Sequence, residues 1–368
     1  MIINFKKEDY QKLQKLIDTK EVNMAVAQMF MDYNTYYDVI NENKMRNSKN
    51  PEDLYLQTFL SFFGIDRRLK ENKSIIEKSI KPAIKEVDPN IIKNDPYYKM
   101  INIDSVQDGE YFLGNIKYYP YQSFAYDDLE VLEDDYYREI SKIGYFESEV
   151  PFLTISKDNV IWMSITPNET WTILPAIERS FGKVITFGLG LGYYPFMCSL
   201  KENVESITII EFDKNIIDLF TKHLLPLFPY KEKIKIVHAD AFKYCKENNI
   251  NELFDFAYMD IWHGAEDGLP FYFKFKKYEE HSHCKIEYWL EESILALCRR
   301  CLIVVVEEIL NGANEENFKY AENELDEIIN HLYFYTKNLE LNCYEDFHKL
   351  LSNESLKQII ESIAKEKY

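Results

Sequence analysis

The stretch VITFGLGLGYYP, residues 184–195, holds three glycines in five positions of a chain that has only 11 glycines in 368 residues. Glycine adds no side-chain burial and loses the most backbone entropy on folding, so such a cluster is expected where the main chain turns sharply or approaches another group closely. The residues before it indicate a buried strand, and 193–200 indicate a helix. A strand, a glycine turn and a helix in succession aim backbone N–H groups at a nucleotide-like ligand. A tight turn without a ligand is the alternative.

The length of the chain predicts more than one structural unit, because single hydrophobic cores stop growing near 250–300 residues. Hydrophobic residues make up 46% of the chain and aromatic residues 15%, which indicates a globular protein. Helical spacing and breakers predict four regions. They are a helical amino-terminal region (1–108), a small β-containing element (109–180), a parallel-sheet domain (181–312) and a helical carboxy-terminal region (313–368).

Apolar runs alternate with helical segments between residues 182 and 310, which predicts a parallel sheet covered by helices on both faces. The predicted strands are 184–187, 206–211, 234–237, 254–259 and 302–306. The fold class is therefore α/β, with a doubly wound, mostly parallel Rossmann-like sheet. Before it, PFLTIS and NVIWMSIT are separated by the turn-like KDN and predict a hairpin, and ETWTILPAIERSF has the spacing of a helix.

The net charge of −19 disfavours generic binding of nucleic acid, because the field of the whole molecule repels phosphates. FKFKKY, residues 273–278, alternates aromatic residues with lysines. It is either a site that stacks on and pairs with a nucleotide or a solvated strand edge or loop, and the second interpretation is favoured.

The longest apolar run, CLIVVV at 301–306, is far shorter than a membrane span. We therefore expect a cytoplasmic protein with a small-molecule substrate, no membrane partner and a homodimer as its candidate assembly.

An acidic residue stands at the carboxyl end of each of three successive predicted strands: Glu211, Asp240 and Asp260. Ligands of open parallel sheets bind at these ends. Glu211 follows Gly192 by 19 residues, close to the offset at which a carboxylate accepts the two hydroxyl protons of a ribose. Asp240 either contacts an adenine amino group or caps the helix that follows. Asp260 is expected to project into the same cleft.

Because of this glycine turn and these three acids, the region 183–306 resembles the class I S-adenosylmethionine-dependent methyltransferases. The resemblance implies that the glycine turn cradles the methionine part of the cofactor, that the acid of strand two binds ribose, that the strand-three end meets adenine and that the strand-four end lies beside the transferred methyl group. The cofactor-binding residues so implied are Phe187, Gly188, Leu189, Gly190, Gly192, Glu211, Asp240, Ala241 and Asp260.

Several segments, among them KVITFGLGLG, VESITIIEFDKNIIDLF and FDFAYMD, are similar to the spermidine synthases, which use decarboxylated S-adenosylmethionine. Two positions depart from that family. Leu191 stands where it has an acid in the glycine loop, and His263 stands where it has a second aspartate. Methyl transfer is therefore the favoured prediction, and aminopropyl transfer is the alternative. A third hypothesis, a non-catalytic nucleoside-binding module, rests on Thr186, which stands where methyltransferases often have an acid.

The catalytic candidates are Asp260 and His263, either of which can accept the proton of an acceptor amine or hydroxyl. The aromatic-rich stretch 261–285 is predicted to form a lid over the site. HSHC (281–284) and CRRC (298–301) have the residue types of a metal site. Because Cys298 is expected at a helix end and Cys301 at the start of a strand, core thiols are favoured and no metal is predicted.

Overall fold

The computed structural model describes residues 1–34, 40–158, 160–279 and 283–367. The α-helices are α1 (Lys7–Asn34), α2 (Glu42–Arg46), α3 (Pro51–Phe62), α4 (Lys70–Ile75), α5 (Asn90–Asn94), α6 (Pro96–Met100), α7 (Pro167–Arg179), α8 (Tyr193–Ser199), α9 (Lys214–Leu219), α10 (Ala241–Glu247), α11 (Ile250–Leu253), α12 (Ala265–Lys276), α13 (Glu291–Leu310), α14 (Glu324–Thr336), α15 (Tyr344–Leu350) and α16 (Asn353–Lys367). Short π turns lie at Ile76–Ile80 and Phe220–Leu224.

The β-strands are β1 (Ile2–Ile3), β2 (Ile84–Glu86), β3 (Val106–Asp108), β4 (Tyr111–Tyr118), β5 (Phe124–Ala125), β6 (Glu130–Leu132), β7 (Arg138–Ile140), β8 (Ile143–Tyr145), β9 (Val150–Lys157), β10 (Val160–Ser164), β11 (Gly182–Phe187), β12 (Val204–Glu211), β13 (Ile234–His238), β14 (Phe256–Met259), β15 (Lys285–Tyr288) and β16 (Glu340–Leu341).

A five-stranded sheet in the order β13-β12-β11-β14-β15 forms the centre of the molecule. Every neighbouring pair in it is parallel. Four predicted strands are confirmed as β11 to β14. Their β-branched and apolar side chains favour strands, and β13 at the edge of the sheet is less buried than the other three. The strand order reverses its direction between β11 and β14, and ligands of such sheets bind at this point. The arrangement is consistent with a Rossmann-like fold, and the covering of both faces by helices stays a prediction.

The fifth predicted strand, 302–306, is wrong, because these residues lie inside the 20-residue helix α13. This helix packs against α12, α14 and α16, so apolar side chains are needed on several of its sides. The fifth strand of the sheet is β15, whose sequence KIEY carries charged residues. Glu287 of that strand pairs with Arg179 through two bonds of 2.6 and 2.8 Å.

The small β element predicted before the sheet is present as an antiparallel sheet in the order β10-β9-β4-β3. The predicted hairpin is confirmed by the pairing of β9 with β10. Asn159 of its predicted turn lies outside the described residues. Helix α7 follows the hairpin as predicted and contains Pro175.

The amino-terminal region contains the predicted helices together with the short strands β1, β2 and β3. It reaches the glycine turn directly. The hydroxyl of Tyr97 in α6 donates to the backbone oxygen of Leu191 at 2.7 Å, and the hydroxyl of Tyr193 donates to Asp95 at 2.7 Å. Asp95 also caps α6 by accepting from the backbone N–H of Tyr97 at 2.8 Å. The glycine turn is thus held in place by a segment almost a hundred residues earlier in the chain.

The carboxy-terminal region is helical as predicted, with the addition of the short strand β16, which pairs in parallel with β1. A continuous cluster of buried apolar residues extends from α1 through the parallel sheet to α16. The four predicted regions therefore share much of one core, and their boundaries stay predictions. Within the described residues, no helix combines the length and the apolar character needed to cross a bilayer.

Candidate functional site

The glycine turn begins where β11 ends against β14. The backbone N–H of Gly188 donates to the backbone oxygen of Ile210 at 2.9 Å, and the backbone N–H of Asp260 donates to the backbone oxygen of Phe187 at 3.0 Å. The φ angle of Gly188 is +96°, and a methyl group there would overlap the backbone oxygen of Asp260. Only glycine both adopts this φ angle readily and has no side chain to overlap Asp260. Gly188 therefore allows the ends of β11 and β14 to approach each other closely.

The next two glycines of the turn have different surroundings. Gly190 has φ +55° and open space where a side chain would be, so its surroundings leave room for a ligand. Gly192, with φ +79°, precedes α8, and a methyl group there would overlap the ring of Phe220. Gly190 therefore faces the site, and Gly192 serves the packing of the turn on the core.

Glu211 at the end of β12 is tied to the glycine turn. One carboxylate oxygen accepts from the backbone N–H of Leu189 at 3.0 Å, and the other accepts from that of Asp213 at 2.7 Å. Each oxygen keeps lone-pair capacity for a further donor. The carboxylate is therefore oriented before any ligand arrives, with acceptor sites left for hydroxyl groups.

Asp240 follows β13 and caps α10, since its side chain accepts from the backbone N–H of Lys243 at 2.8 Å. The capping alternative is thus realised in the structure. Asp240 and the buried Ala241 also line the same cavity as the glycine turn. One oxygen of Asp240 is occupied by the cap, so any ligand contact uses its remaining acceptor capacity.

Asp260 at the end of β14 shares the cavity with a second acid, Glu169, in the first turn of α7. Burial raises the pKa of Glu169 to about 7. Burial, followed by the repulsion of the Glu169 carboxylate, raises the pKa of Asp260 well above its usual value. Two acids with raised pKa values in one cavity are typical of a functional site, because a bound cation relieves both costs.

The raised pKa of Glu169 has a consequence for stability that can be measured. A group whose folded-state pKa is raised contributes stability below its unfolded pKa and loses that contribution as the pH rises through the folded value. For Glu169 the window runs from 4.5 to about 7. We expect Glu169→Gln to gain up to about 3 kcal/mol of unfolding free energy relative to the wild type across this window. Urea unfolding of both proteins at about pH 5 and about pH 8 measures this change in the difference between their unfolding free energies.

The control for this experiment is Glu178→Gln, which changes an exposed glutamate of the same helix. It removes the same charge without a burial cost, so its stability should follow that of the wild type at both pH values. A pH dependence of Glu169→Gln equal to that of the control would contradict the raised pKa.

The rim of the cavity is aromatic. Trp162 of the hairpin strand β10 overhangs it, and Phe212 beyond β12 is 73% exposed. His263 also lies at the rim, with its side chain 82% exposed and Nδ1 at 3.2 Å from Asp267. Its ring meets Trp162 edge-on, with the centroids 6.5 Å apart. The structure therefore places His263 at the entrance and Asp260 deeper inside.

The predicted lid, 261–285, contains the 12-residue helix α12, and residues 280–282 lie outside the described part of the chain. Trp262 begins this segment with its ring packed over Gly268 and its indole N–H directed to the backbone oxygen of Trp289 at 3.2 Å. The stretch thus contributes a fixed wall as well as rim residues.

The cavity has a volume of about 540 Å³, within the range of small-molecule sites. Its acidic lining residues are Glu169, Glu211, Asp240 and Asp260. Among the described residues that line it, there is no lysine or arginine. The acidic lining therefore favours a cationic ligand, whose charge would offset the burial that raises the pKa of Glu169 and of Asp260.

Most of the residues predicted for the site lie together in this cavity: Gly188, Leu189, Gly190, Glu211, Asp240, Ala241, Asp260 and His263. Phe187 and Gly192 are outside its described lining. The ring of Phe187 is fully buried and packs against Tyr244 and Phe275. These two positions support the site from within the core.

Sequence reasoning missed Glu169 and Trp162, which reach the cavity from the hairpin and helix before the sheet. The rule that ligands bind at the carboxyl ends of parallel strands does not identify residues of these elements. The available signal was an acidic residue in the first turn of a helix that directly follows a hairpin.

The two motifs that have the residue types of a metal site, HSHC and CRRC, form no metal-binding cluster among the described residues. Cys298 and Cys301 both lie as buried thiols within helix α13, so neither the expected helix end nor the expected strand start is present. His281 and Ser282 of the other motif lie outside the described residues. Across the described ranges, no group of three or more histidine, cysteine, aspartate or glutamate side chains is placed to hold a metal ion.

The fold and the lining residues together define a mixed α/β protein with a cavity at the carboxyl edge of a parallel sheet. No protein-family model matches the chain, and no curated protein matches it significantly. Among solved structures, spermidine synthase from Thermotoga maritima is weakly similar, with a TM-score of 0.27 and 14% identity over 39% of this chain. A spermidine synthase in complex with the transition-state analogue AdoDATO gives the same two values over 48% of this chain.

The chain spans 57% of the length of the first of these proteins and 70% of the second. Both similarities are partial, and the activity named for each belongs to that protein.

Proposed function

We propose that this protein is a transferase that binds an S-adenosylmethionine-type sulfonium compound and passes one of its alkyl groups to an acceptor. The proposal rests on one observation: the glycine turn, Glu211 and Asp260 line a single cavity at the point where the strand order reverses. Gly190 leaves open space beside the turn, and the cavity volume suits a ligand of this size.

Each strand end has a role in this proposal. Glu211 accepts from the two ribose hydroxyls with the lone pairs that its backbone donors leave unused. Asp240 and Ala241 face the adenine. The carboxylates deeper in the cavity hold the positive sulfur, and the attached carbon is open to attack because this sulfur leaves as a neutral thioether.

Asp260 is the proposed proton acceptor. When the acceptor nitrogen or oxygen attacks the carbon, its bond to that carbon forms as the carbon–sulfur bond breaks, and its proton passes to the carboxylate. The raised pKa of Asp260 suits this step, because a base with a higher pKa takes the proton more readily. His263, at the exposed rim, is the second candidate for this role.

Methyl transfer to a small-molecule acceptor is the form of the reaction that we propose first, because Leu191 and His263 stand where the spermidine synthases have acids. Aminopropyl transfer is the second candidate, and the charge of the lining favours it. S-adenosylmethionine carries a carboxylate, which prefers a cationic partner, whereas the lining is acidic. The decarboxylated donor carries only positive charges.

Calorimetric titration of the full chain with S-adenosylmethionine, its decarboxylated form and S-adenosylhomocysteine tests the proposal. Binding of any of them supports the cavity assignment, and a preference for the decarboxylated compound selects aminopropyl transfer. If none of the three produces heat, the proposal fails, and the alternative of a non-catalytic module without this ligand gains support.

The ribose assignment makes a separate prediction. We expect Glu211→Ala to weaken binding of S-adenosylhomocysteine by about 2 to 3 kcal/mol, because charged hydrogen-bond partners of the hydroxyls are lost. Calorimetry with free adenine, which lacks the ribose, provides the control, and its affinity should change much less. Asp240→Ala should cost less than Glu211→Ala, since Asp240 would accept from one adenine amino group whereas Glu211 accepts from two ribose hydroxyls. Unchanged affinity in Glu211→Ala would count against the assignment.

A further inference from the structure

A second concave surface lies beside the cavity, between helices α10 and α12. This groove has a volume of about 680 Å³. Its basic lining residues are Lys243, Lys246, Lys274 and Lys277, and Glu247 is the acidic residue described in its lining. In a chain with a net charge of −19, four lysines against one glutamate form a marked local reversal of sign.

The lysines form two pairs, one on each wall. Lys243 and Lys246 are three residues apart on α10, and Lys274 and Lys277 have the same spacing at the end of α12. Residues three apart lie on one face of a helix. The two helices therefore present their ammonium groups to the same groove.

The ion pairs of Lys243 and Lys274 are weak. The Nζ of Lys243 is 3.9 Å from Glu247, and these two side chains are 69% and 60% exposed. The Nζ of Lys274 is 3.9 Å from Glu324, and these side chains are 34% and 67% exposed. Exposed pairs at the limit of ion-pair distance are worth little. These two lysines therefore keep most of their capacity to bind an external anion.

Aromatic rings lie beside the ammonium groups of Lys274 and Lys277. The Nζ of Lys274 lies 5.4 Å from the ring centroid of Phe271, and that of Lys277 lies 4.9 Å from that of Tyr278. Phe242 belongs to the walls of both the groove and the cavity, and its ring stacks on Phe275 with the centroids 4.4 Å apart. The groove is thus a defined surface next to the cavity.

We propose that this groove binds an oligophosphate anion, a short chain of two or three phosphate groups. Lysine is a common phosphate ligand as a point charge, and four ammonium groups on two walls match the several negative charges of such a chain. A long polyanion such as nucleic acid would extend over the acidic remainder of the surface and be repelled, whereas a short chain interacts with the groove alone. This inference goes beyond the proposed transferase function and does not depend on it.

Titration of the full chain with inorganic tripolyphosphate and with ATP, at low salt, tests the inference. We expect the wild type to bind tripolyphosphate and the double variant Lys243→Gln and Lys246→Gln to bind it about tenfold or more weakly, because two charged partners are lost. Raising the salt concentration should weaken the wild-type binding. ATP and tripolyphosphate distinguish two sources: tighter binding of ATP assigns a nucleotide, and equal binding assigns an inorganic chain.

A matched control uses the double variant Lys70→Gln and Lys73→Gln, which removes two exposed lysines with the same spacing from α4. It changes the net charge equally, and its affinity should equal that of the wild type. The thermal unfolding midpoint verifies that each variant is folded. The inference is overturned if the wild type binds neither anion, or if both double variants lose affinity to the same extent. Neither result bears on binding of a sulfonium ligand in the cavity.

Discussion

Gly188→Ala is expected to lose about 3 to 5 kcal/mol of unfolding free energy and to abolish binding of adenosyl ligands. The new methyl group would overlap the backbone oxygen of Asp260, and the φ of +96° is unfavourable for alanine. Because the obstacle is backbone, relief requires β11 and β14 to separate at the site. Urea unfolding and calorimetric titration with S-adenosylhomocysteine measure the two effects.

Gly190→Ala provides the matched control, since it also introduces alanine at a positive φ but has open space around the new methyl group. We expect a cost of about 1 to 2 kcal/mol from the backbone conformation alone. Equal losses in the two variants would show that backbone conformation, rather than the close approach of the strand ends, explains the requirement for glycine.

Asp260→Asn is expected to lower the rate of transfer by about 10²- to 10⁴-fold, because the amide cannot accept the proton of the acceptor. His263→Gln changes a mostly exposed side chain at the rim and should retain most of the activity. Single-turnover rates with the donor that binds in calorimetry measure both. The assignment is reversed if His263→Gln loses the activity and Asp260→Asn keeps it.

The neighbouring acid gives the same assignment a pH signature. Burial raises the pKa of Asp260 most, and repulsion by the Glu169 carboxylate raises it further, so Glu169→Gln removes the second contribution. The fraction of Asp260 that is ionised at a given pH then increases, and the acid limb of the rate profile moves to lower pH. An acid limb that stays in place would indicate that the two carboxyls do not interact.

The parallel sheet and most of its cavity were predictable from sequence because the evidence was local. A strand followed directly by Glu211 or Asp260 places that residue at the sheet edge in any fold of this class. The glycine cluster likewise reports a backbone requirement, and the φ angles of Gly188 and Gly190 confirm it.

The errors arose where local pattern is ambiguous. A short apolar, β-branched run fits a buried strand and a buried helix equally well, and 302–306 lies in a helix because its neighbours are other helices. Strand β15 was missed for the opposite reason, since two of its four residues are charged. Glu169 required knowledge of how the hairpin and α7 dock on the sheet, which depends on contacts between segments distant in sequence.

The bonds from Tyr97 to Leu191 and from Tyr193 to Asp95 bear on how this protein can be dissected. A fragment limited to 181–312 would contain every strand of the central sheet. It would lack Tyr97 and Asp95, the two partners that hold the glycine turn. We expect such a fragment to have a loose loop, so a failure of that fragment to bind would say nothing about the intact chain.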